Sequence, residues 1–302
     1  MLTGTQLKSI FSQYDFKPLK RFGENYLIDG NIKNKIIAAA SVGKGDVVLE
    51  IGPGFGALTI DLAGSGAEVF AVEKDKKAFA ILSDIVKKDF PNLKLVCGDI
   101  LEFDIKKIAG SKKIKVIGNL PYYITTPIIE YLIENRRSIE SGLITVQREV
   151  ANRLLAGPGS PHPFSESKSR RKKGRGLKEY SSISCFVQYY TKPAYLYTIK
   201  RASFYPSPDV DSSLVRLDFL RTPPVWLKDE ALFFKIVRGA FNQRRKSVIN
   251  SLSREAVLGL PKEKVAAVLG NIGISPAIRP ESLGLAEFAR IANAFCGKLT
   301  KR

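Results

Sequence analysis

The chain has 302 residues, enough for an α/β domain of roughly 200 residues with a small companion. Its formal net charge of +19 and pI near 9.8 create a surface that attracts polyanions, so nucleic acid is the first partner to test against the plainer reading of a basic soluble protein. The single histidine, His162, stands in Pro-His-Pro, which excludes Ser-His-Asp or Cys-His machinery and multi-histidine metal sites and leaves carboxylates, amides, aromatics, backbone groups or a reactive cofactor.

Residues 1–23 contain no apolar segment followed by a small-residue cleavage site, and no apolar run elsewhere reaches membrane-spanning length. A cytoplasmic protein without a membrane partner is expected, with organelle import left open. Asn31–Ala40 reads as a helix, and Asp46–Ile51 as a strand ending in the turn Gly52-Pro53-Gly54-Phe55-Gly56. Glu68–Val72 is a second strand, Lys76–Lys88 a helix, Leu93–Val96 a third strand, Ile114–Ile117 a fourth and Leu143–Val146 a fifth. Strands alternating with helices predict a parallel sheet covered on both faces.

Pro161–Leu177 carries six Lys or Arg, one Glu and almost no apolar residues, so it reads either as a solvated disordered loop or as an arm for RNA phosphates or localisation. Ala194–Lys200 and Ser213–Phe219 are strand-like and suit an antiparallel edge. Thr222-Pro223-Pro224 reads as a linker, and the helices beyond it are punctuated by Gly259, Pro261, Gly270, Gly273 and Pro280. The predicted division is therefore 1–221 and a small all-helical domain over 222–302. Cys97, Cys185 and Cys296 lack the paired spacing of zinc sites or disulfide frameworks and read as reduced core thiols, with no metal expected.

The chemistry collects at strand ends. The glycine turn after the first strand lets a ligand approach the backbone, yet its Gly-x-Gly-x-Gly spacing departs from the dinucleotide pattern and suits a nucleoside-type cofactor. Such turns are also often only structural. Glu73, ending the second strand, is placed to accept from both ribose hydroxyls, and Asp99, after the third, to hold an adenine edge; each alone could be a loop carboxylate. Together the three signals predict S-adenosylmethionine. The fourth strand runs into Gly118-Asn119-Leu120-Pro121-Tyr122-Tyr123. An exocyclic adenine amine is a poor nucleophile because its lone pair is delocalised into the ring. The Asn119 side-chain oxygen and a nearby backbone carbonyl could accept its two hydrogens and localise that lone pair, while Pro121 stiffens the turn and Tyr122 stacks on the extruded base. The alternative is an ordinary Asn-Pro type turn beside an aromatic.

The sequence resembles the ribosomal RNA adenine dimethyltransferase family of the small-subunit, KsgA type along nearly its whole length. The matching segments are Arg21–Asp29, Leu49–Gly54, Asn119–Tyr122, Gln147–Arg153, Phe204–Ser212 and Phe241–Lys246, in order. The resemblance implies a seven-stranded Rossmann-like class I methyltransferase domain with a helical C-terminal domain. It implies a cofactor site of Asn25, Leu27, Gly52, Gly54, Glu73, Asp99 and Asn119, catalytic roles for Asn119, Leu120 and Tyr122, and stacking of Phe204 on the target adenine opposite Tyr122. It also implies Arg244, Arg245 and Lys246 on a helix meeting RNA phosphates, unless they form a solvated basic face. The expected partner is small-subunit rRNA within a pre-ribosomal subunit, bound by a monomer. Glu24 and Tyr26 replace the family's usual Gln and Phe, and Pro161–Leu177 looks inserted. Two rivals stay open, a large-subunit rRNA adenine methyltransferase of the erythromycin-resistance kind and a non-catalytic ribosome-assembly factor with this fold.

Overall fold

The computed structural model describes residues 4–16, 25–86, 89–159, 179–243, 246–254 and 256–297. His162, the basic stretch 161–177, residues 21–24 of the first motif, Arg244 and Arg245 lie outside them. By compactness the chain divides into two units, 1–151 with 192–219 and 152–191 with 220–302. The predicted boundary at 221/222 thus differs in one respect: residues 152–191 group with the C-terminal helices.

In chain order the first unit contains α1 (Gly4–Gln13), β1 (Tyr26–Leu27), α2 (Gly30–Ala40), β2 (Val47–Ile51), α3 (Thr59–Gly64), β3 (Glu68–Glu73) and α4 (Lys76–Val86). It continues with β4 (Leu93–Cys97), α5 (Ile105–Ala109), β5 (Ile114–Asn119), α6 (Thr125–Glu134), β6 (Ile139–Gln147) and the start of α7 (Arg148–Leu155). After the helix α8 (Ser182–Tyr190) of the other unit come β7 (Thr191–Ile199), β8 (Phe204–Tyr205) and β9 (Ser212–Phe219).

Seven strands form one sheet in the order β4-β3-β2-β5-β6-β9-β7. The run from β4 to β6 is parallel and β9 joins β6 antiparallel, as the alternating pattern and the two late strand-like segments predicted. All five residues of β2 are buried, which is how a central parallel strand covered on both faces reads. From β2 the chain builds outward through β3 and β4, then returns to lay β5 on the other side. The carboxyl ends of β2 and β5 therefore flank a topological switch point, the place where open α/β sheets hold ligands. The approach of these ends depends on Gly118, where a Cβ would lie 2.9 Å from Leu120 Cδ2 and 3.1 Å from the Ile51 carbonyl oxygen.

Beneath the sheet's end, Leu27, Ile36, Val48, Leu58, Ile117, Phe204 and Leu214 share one buried cluster. A second cluster packs Leu7 of α1 with Phe16, Phe55, Ala78 and Ile81, and draws in Phe11, Tyr26 and Tyr205. Sequence patterning alone showed neither α1 nor this aromatic group. Cys185 is buried, but Cys97 at the end of β4 is exposed, contrary to its reading as a core thiol, because the strand has reached the sheet's open edge there.

The second unit adds α9 (Glu230–Phe241), α10 (Val248–Leu252), α11 (Lys262–Asn271) and α12 (Leu285–Phe295). Its core is aromatic: Tyr180, Phe233, Phe288 and Phe295 are fully buried, and Tyr180 Oη donates to the Leu283 carbonyl at 2.9 Å. Asp229 caps α9 by accepting from Leu232 N (2.9 Å), and Glu230 accepts from the hydroxyls of Tyr189 and Tyr190. Among the described residues no helix is long and apolar enough to cross a membrane, and no three His, Cys, Asp or Glu converge as for a metal ion.

Candidate active site

Two segments far apart in sequence build the roof of the site. β1 and β8 pair antiparallel with Tyr26 opposite Tyr205 and Leu27 opposite Phe204, and Ile28 N donates to the Ser203 carbonyl at 2.9 Å. Asp29 locks this ribbon across 174 positions: Oδ1 accepts from Asn31 N and Ile32 N at the start of α2, and Oδ2 accepts from Ser203 Oγ at 2.9 Å. Burial works to raise the Asp29 carboxyl, but those donors outweigh it and hold it below the ordinary value.

The ribbon brings Asn25 to the end of β5. There Asn119 Nδ2 donates to the Asn25 carbonyl at 2.8 Å, which settles the orientation of the amide and leaves Oδ1 as its acceptor atom. Leu120 N donates to the Thr145 carbonyl at 3.1 Å, so the turn after Asn119 is anchored to β6.

On the β2 side, Gly54 adopts φ +56°, and a Cβ there would stand 2.8 Å from the Tyr26 ring. Both conformation and space therefore require glycine. Glu73, ending β3, holds this turn through Gly54 N on Oε2 (3.0 Å) and Asp75 N on Oε1 (2.9 Å). Burial raises the Glu73 carboxyl, against the pull of these backbone donors. Two donors do not exhaust the lone pairs of a carboxylate, so each oxygen retains acceptor capacity. Asn25, Tyr26, Gly52, Gly54, Glu73, Lys74, Asn119, Pro121 and Tyr123 line one open cleft.

Asp99 stands apart from that lining. Its Oδ2 accepts from Lys74 Nζ at 2.6 Å and its Oδ1 from Leu101 N at 3.0 Å. Burial works against ionisation, yet the Lys74 ammonium and the Leu101 amide hold the carboxyl below its ordinary value. Lys74, which sequence reading passed over, links this acid to the cleft.

An inner cavity lies beside the cleft, lined by Leu7, Tyr26, Leu27, Ile36, Glu50, Gly52, Pro53, Phe55, Ala57, Leu58, Asn119, Thr145 and Phe204. Leu27 and Phe204 are thus walls of this cavity. The expected stacking face of Phe204 is not open in this conformation: the side chain is 3% exposed because its β-pairing with Leu27 turns it into the core. Tyr122 Oη shares a 2.6 Å hydrogen bond with Ser212 Oγ, and burial raises the Tyr122 hydroxyl. Tyr123, at 47% exposure, is the open aromatic ring of the cleft. Glu50 was also missed, although an acid inside an apolar strand was its signal.

Lys246 is exposed, but it lies in the turn between α9 and α10 instead of on a helix, with its N–H on the Gln243 carbonyl at 2.8 Å. The chain leaves helical geometry there because Ser247, in extended conformation, begins α10.

A sequence profile described as "Ribosomal RNA adenine dimethylase" matches residues 16–163 and 164–295. The "Ribosomal RNA small subunit methyltransferase A" of Lachnoclostridium phytofermentans is 39% identical over 298 residues, covering 97% of each chain. A crystal structure of a dimethyladenosine transferase from Plasmodium falciparum superposes with a TM-score of 0.74 at 25% identity, over 90% of this chain and 98% of that one. The 23S rRNA methyltransferase ErmE gives 0.64 at 22% identity, over 89% of this chain and 99% of that one, a likeness of fold alone. With a profile match from residue 16 to residue 295 and a relative 39% identical over 97% of the chain, the chain belongs to the ribosomal RNA adenine dimethylase family and is an S-adenosylmethionine-dependent enzyme of that family.

Proposed function

We propose that this chain dimethylates the N6 amino group of adenosines in small-subunit ribosomal RNA, acting as a monomer in the cytoplasm on RNA within an immature subunit. The observation that carries this reading is the Asn119 amide, held by the Asn25 carbonyl at 2.8 Å beside a glycine turn tethered to Glu73.

The residues present fit S-adenosylmethionine. A Cβ at Gly54 would close the approach to the turn, Glu73 keeps acceptor capacity for ribose hydroxyls, and the adjoining cavity holds a buried acid suited to a cationic ligand. Asn25, Leu27, Gly52, Gly54, Glu73 and Asn119 hold the cofactor in this reading, and Asp99 acts at the adenine end with Lys74 as its counter-ion. When bound, the cofactor supplies a methyl group made electrophilic by its sulfonium.

The protein's part is to make the adenine amine nucleophilic and to aim it. Asn119 Oδ1 and the Leu120 carbonyl accept hydrogen bonds from the two amine hydrogens, which favours a pyramidal nitrogen and withdraws its lone pair from conjugation with the ring. Because the opposite end of the amide is already bound, this acceptor needs no reorganisation when the base arrives. Tyr122 and the open ring of Tyr123 supply aromatic surface for the extruded base. Arg244, Arg245 and Lys246 bind RNA phosphates, and the helical domain carries the RNA contacts that select the substrate.

The test is transfer of labelled methyl from S-adenosylmethionine to unmethylated small subunits, with large-subunit RNA alongside and the product digested to nucleosides. N6,N6-dimethyladenosine from the small subunit alone is the expected result. Label confined to large-subunit RNA would replace the reading with the resistance-type activity. Tight subunit binding without label would make the chain an assembly factor.

A further inference from the structure

Trp226 is the single tryptophan of the chain, and at 72% exposure it is the most open of the large apolar side chains among the described residues. A side chain of this size ordinarily gains by burial, so an indole left in water is either loose on a slack loop or held out by its backbone. Here the backbone is held. Asn293 of α12 grips it with both ends of its amide: Nδ2 donates to the Trp226 carbonyl at 3.0 Å, and Oδ1 accepts from Lys228 N at 2.8 Å. Pro223 and Pro224 restrict φ upstream, and Asp229 caps α9 downstream by accepting from Leu232 N at 2.9 Å. The indole therefore stands on a pinned segment, which loses little backbone freedom when a ligand packs against it.

The charge around it is positive. The segment 221–228 carries Arg221 and Lys228, both exposed, and no acid. The acids that follow are engaged elsewhere, Asp229 on the α9 amide and Glu230 on the hydroxyls of Tyr189 and Tyr190. On α9 the exposed residues include Lys235 and Arg238, whose i, i+3 spacing sets them on one face of the helix.

An aromatic ring on a rigid segment beside cations is the combination that holds unpaired nucleotides: the ring stacks on a base and the cations take the phosphates. The core of a protein–protein interface is instead depleted in lysine. We infer that Trp226 is a stacking platform for one unpaired base of the RNA, with Lys228 and the Lys235–Arg238 face of α9 serving its phosphates. This rests on the RNA-substrate reading above and adds to it a base-holding position on the helical unit, separate from the base that receives methyl.

The experiment measures binding of the full chain to protein-free small-subunit RNA over a series of salt concentrations, for native protein and for Trp226→Ala, Trp226→Leu and Trp226→Phe. Trp226→Ala and Trp226→Leu should both bind roughly tenfold more weakly, the scale of one stacked base, and Trp226→Phe should restore most of the affinity. No phosphate contact is removed, so these variants should keep the native salt dependence, whereas Lys228→Gln should reduce the slope by roughly 0.7, the single-strand increment for one phosphate. Emission from Trp226 in native protein should respond to RNA but not to inorganic polyphosphate, which carries the charge without the bases. Native affinity in Trp226→Ala or in Trp226→Leu, or an equal response to polyphosphate, would overturn the inference. So would a loss seen with whole small subunits but not with free RNA, which would assign the indole to a protein contact. Failure of native protein to bind RNA at all would overturn the RNA reading itself, and this inference with it.

Discussion

The two units handle polar groups in opposite ways. At the carboxyl end of the sheet, the groups placed for chemistry are already held by other atoms of the chain: Asn119 by the Asn25 carbonyl, Glu73 by two backbone amides, and Asp99 by Lys74. In the helical unit the acids are turned to structural work, Asp229 as a cap and Glu230 on two tyrosines, while Lys246 and the tryptophan side chain of Trp226, 72% exposed, face outward. Chemistry on a weak nucleophile needs acceptors fixed in advance, whereas attraction to a polyanion needs only charge and reach. Substitutions in the first unit should therefore act sharply and locally, and those in the second should act gradually and in proportion to salt.

The sharpest contrast comes from Asn119→Ala. It should lower methyl transfer by on the order of a hundredfold or more, the scale of removing one preorganised polar group, while RNA binding in a mobility-shift assay stays the same. A parallel loss of RNA binding would erase the distinction between the units. Glu73→Ala removes the acceptor for Gly54 N and Asp75 N as well as the ribose acceptor, so cofactor affinity measured by calorimetry should drop roughly tenfold to a hundredfold.

Glu50 sharpens the comparison through pH. Its carboxyl is raised in the folded protein, from an ordinary 4.5 to about 8, so between those values the folded state binds more protons than the unfolded state. Stability without cofactor should then fall as pH rises from about 5 to 8 and level off above. Glu50→Gln should remove that slope in denaturant titrations and add about 1–3 kcal/mol near pH 7, the cost of burying such a group without a partner.

Charge reversal in the helical unit should have a smaller effect. Arg244→Glu with Arg245→Glu should weaken RNA binding several-fold at low salt, with the difference shrinking as salt rises, because each lost phosphate contact lowers the salt slope by about one. Equal binding at low and moderate salt would show that this basic segment does not meet phosphate. The smallest effect is spectroscopic. Trp226 is the single tryptophan of the chain, so RNA docking on its unit should alter emission from that one residue.

Much of this was present in the order of residues alone. Strand and helix periodicity, the Gly52–Gly56 turn, and the acids and Asn119 at successive strand ends determine a parallel sheet with its chemistry at one edge, because those signals are local and repeat with the period of the element. Only the tertiary structure decided the partners. That Asn25 contributes its carbonyl, that Phe204 faces inward through its pairing with Leu27, that Lys74 neutralises Asp99, and that Glu50 lines a cavity with no lysine, arginine or histidine among the described residues are facts of contact between distant segments. Sequence spacing carries no record of such contacts. They arise where the order of the parallel strands switches between β2 and β5 and a two-residue ribbon, tied by Asp29 and Ser203, closes over the strand ends.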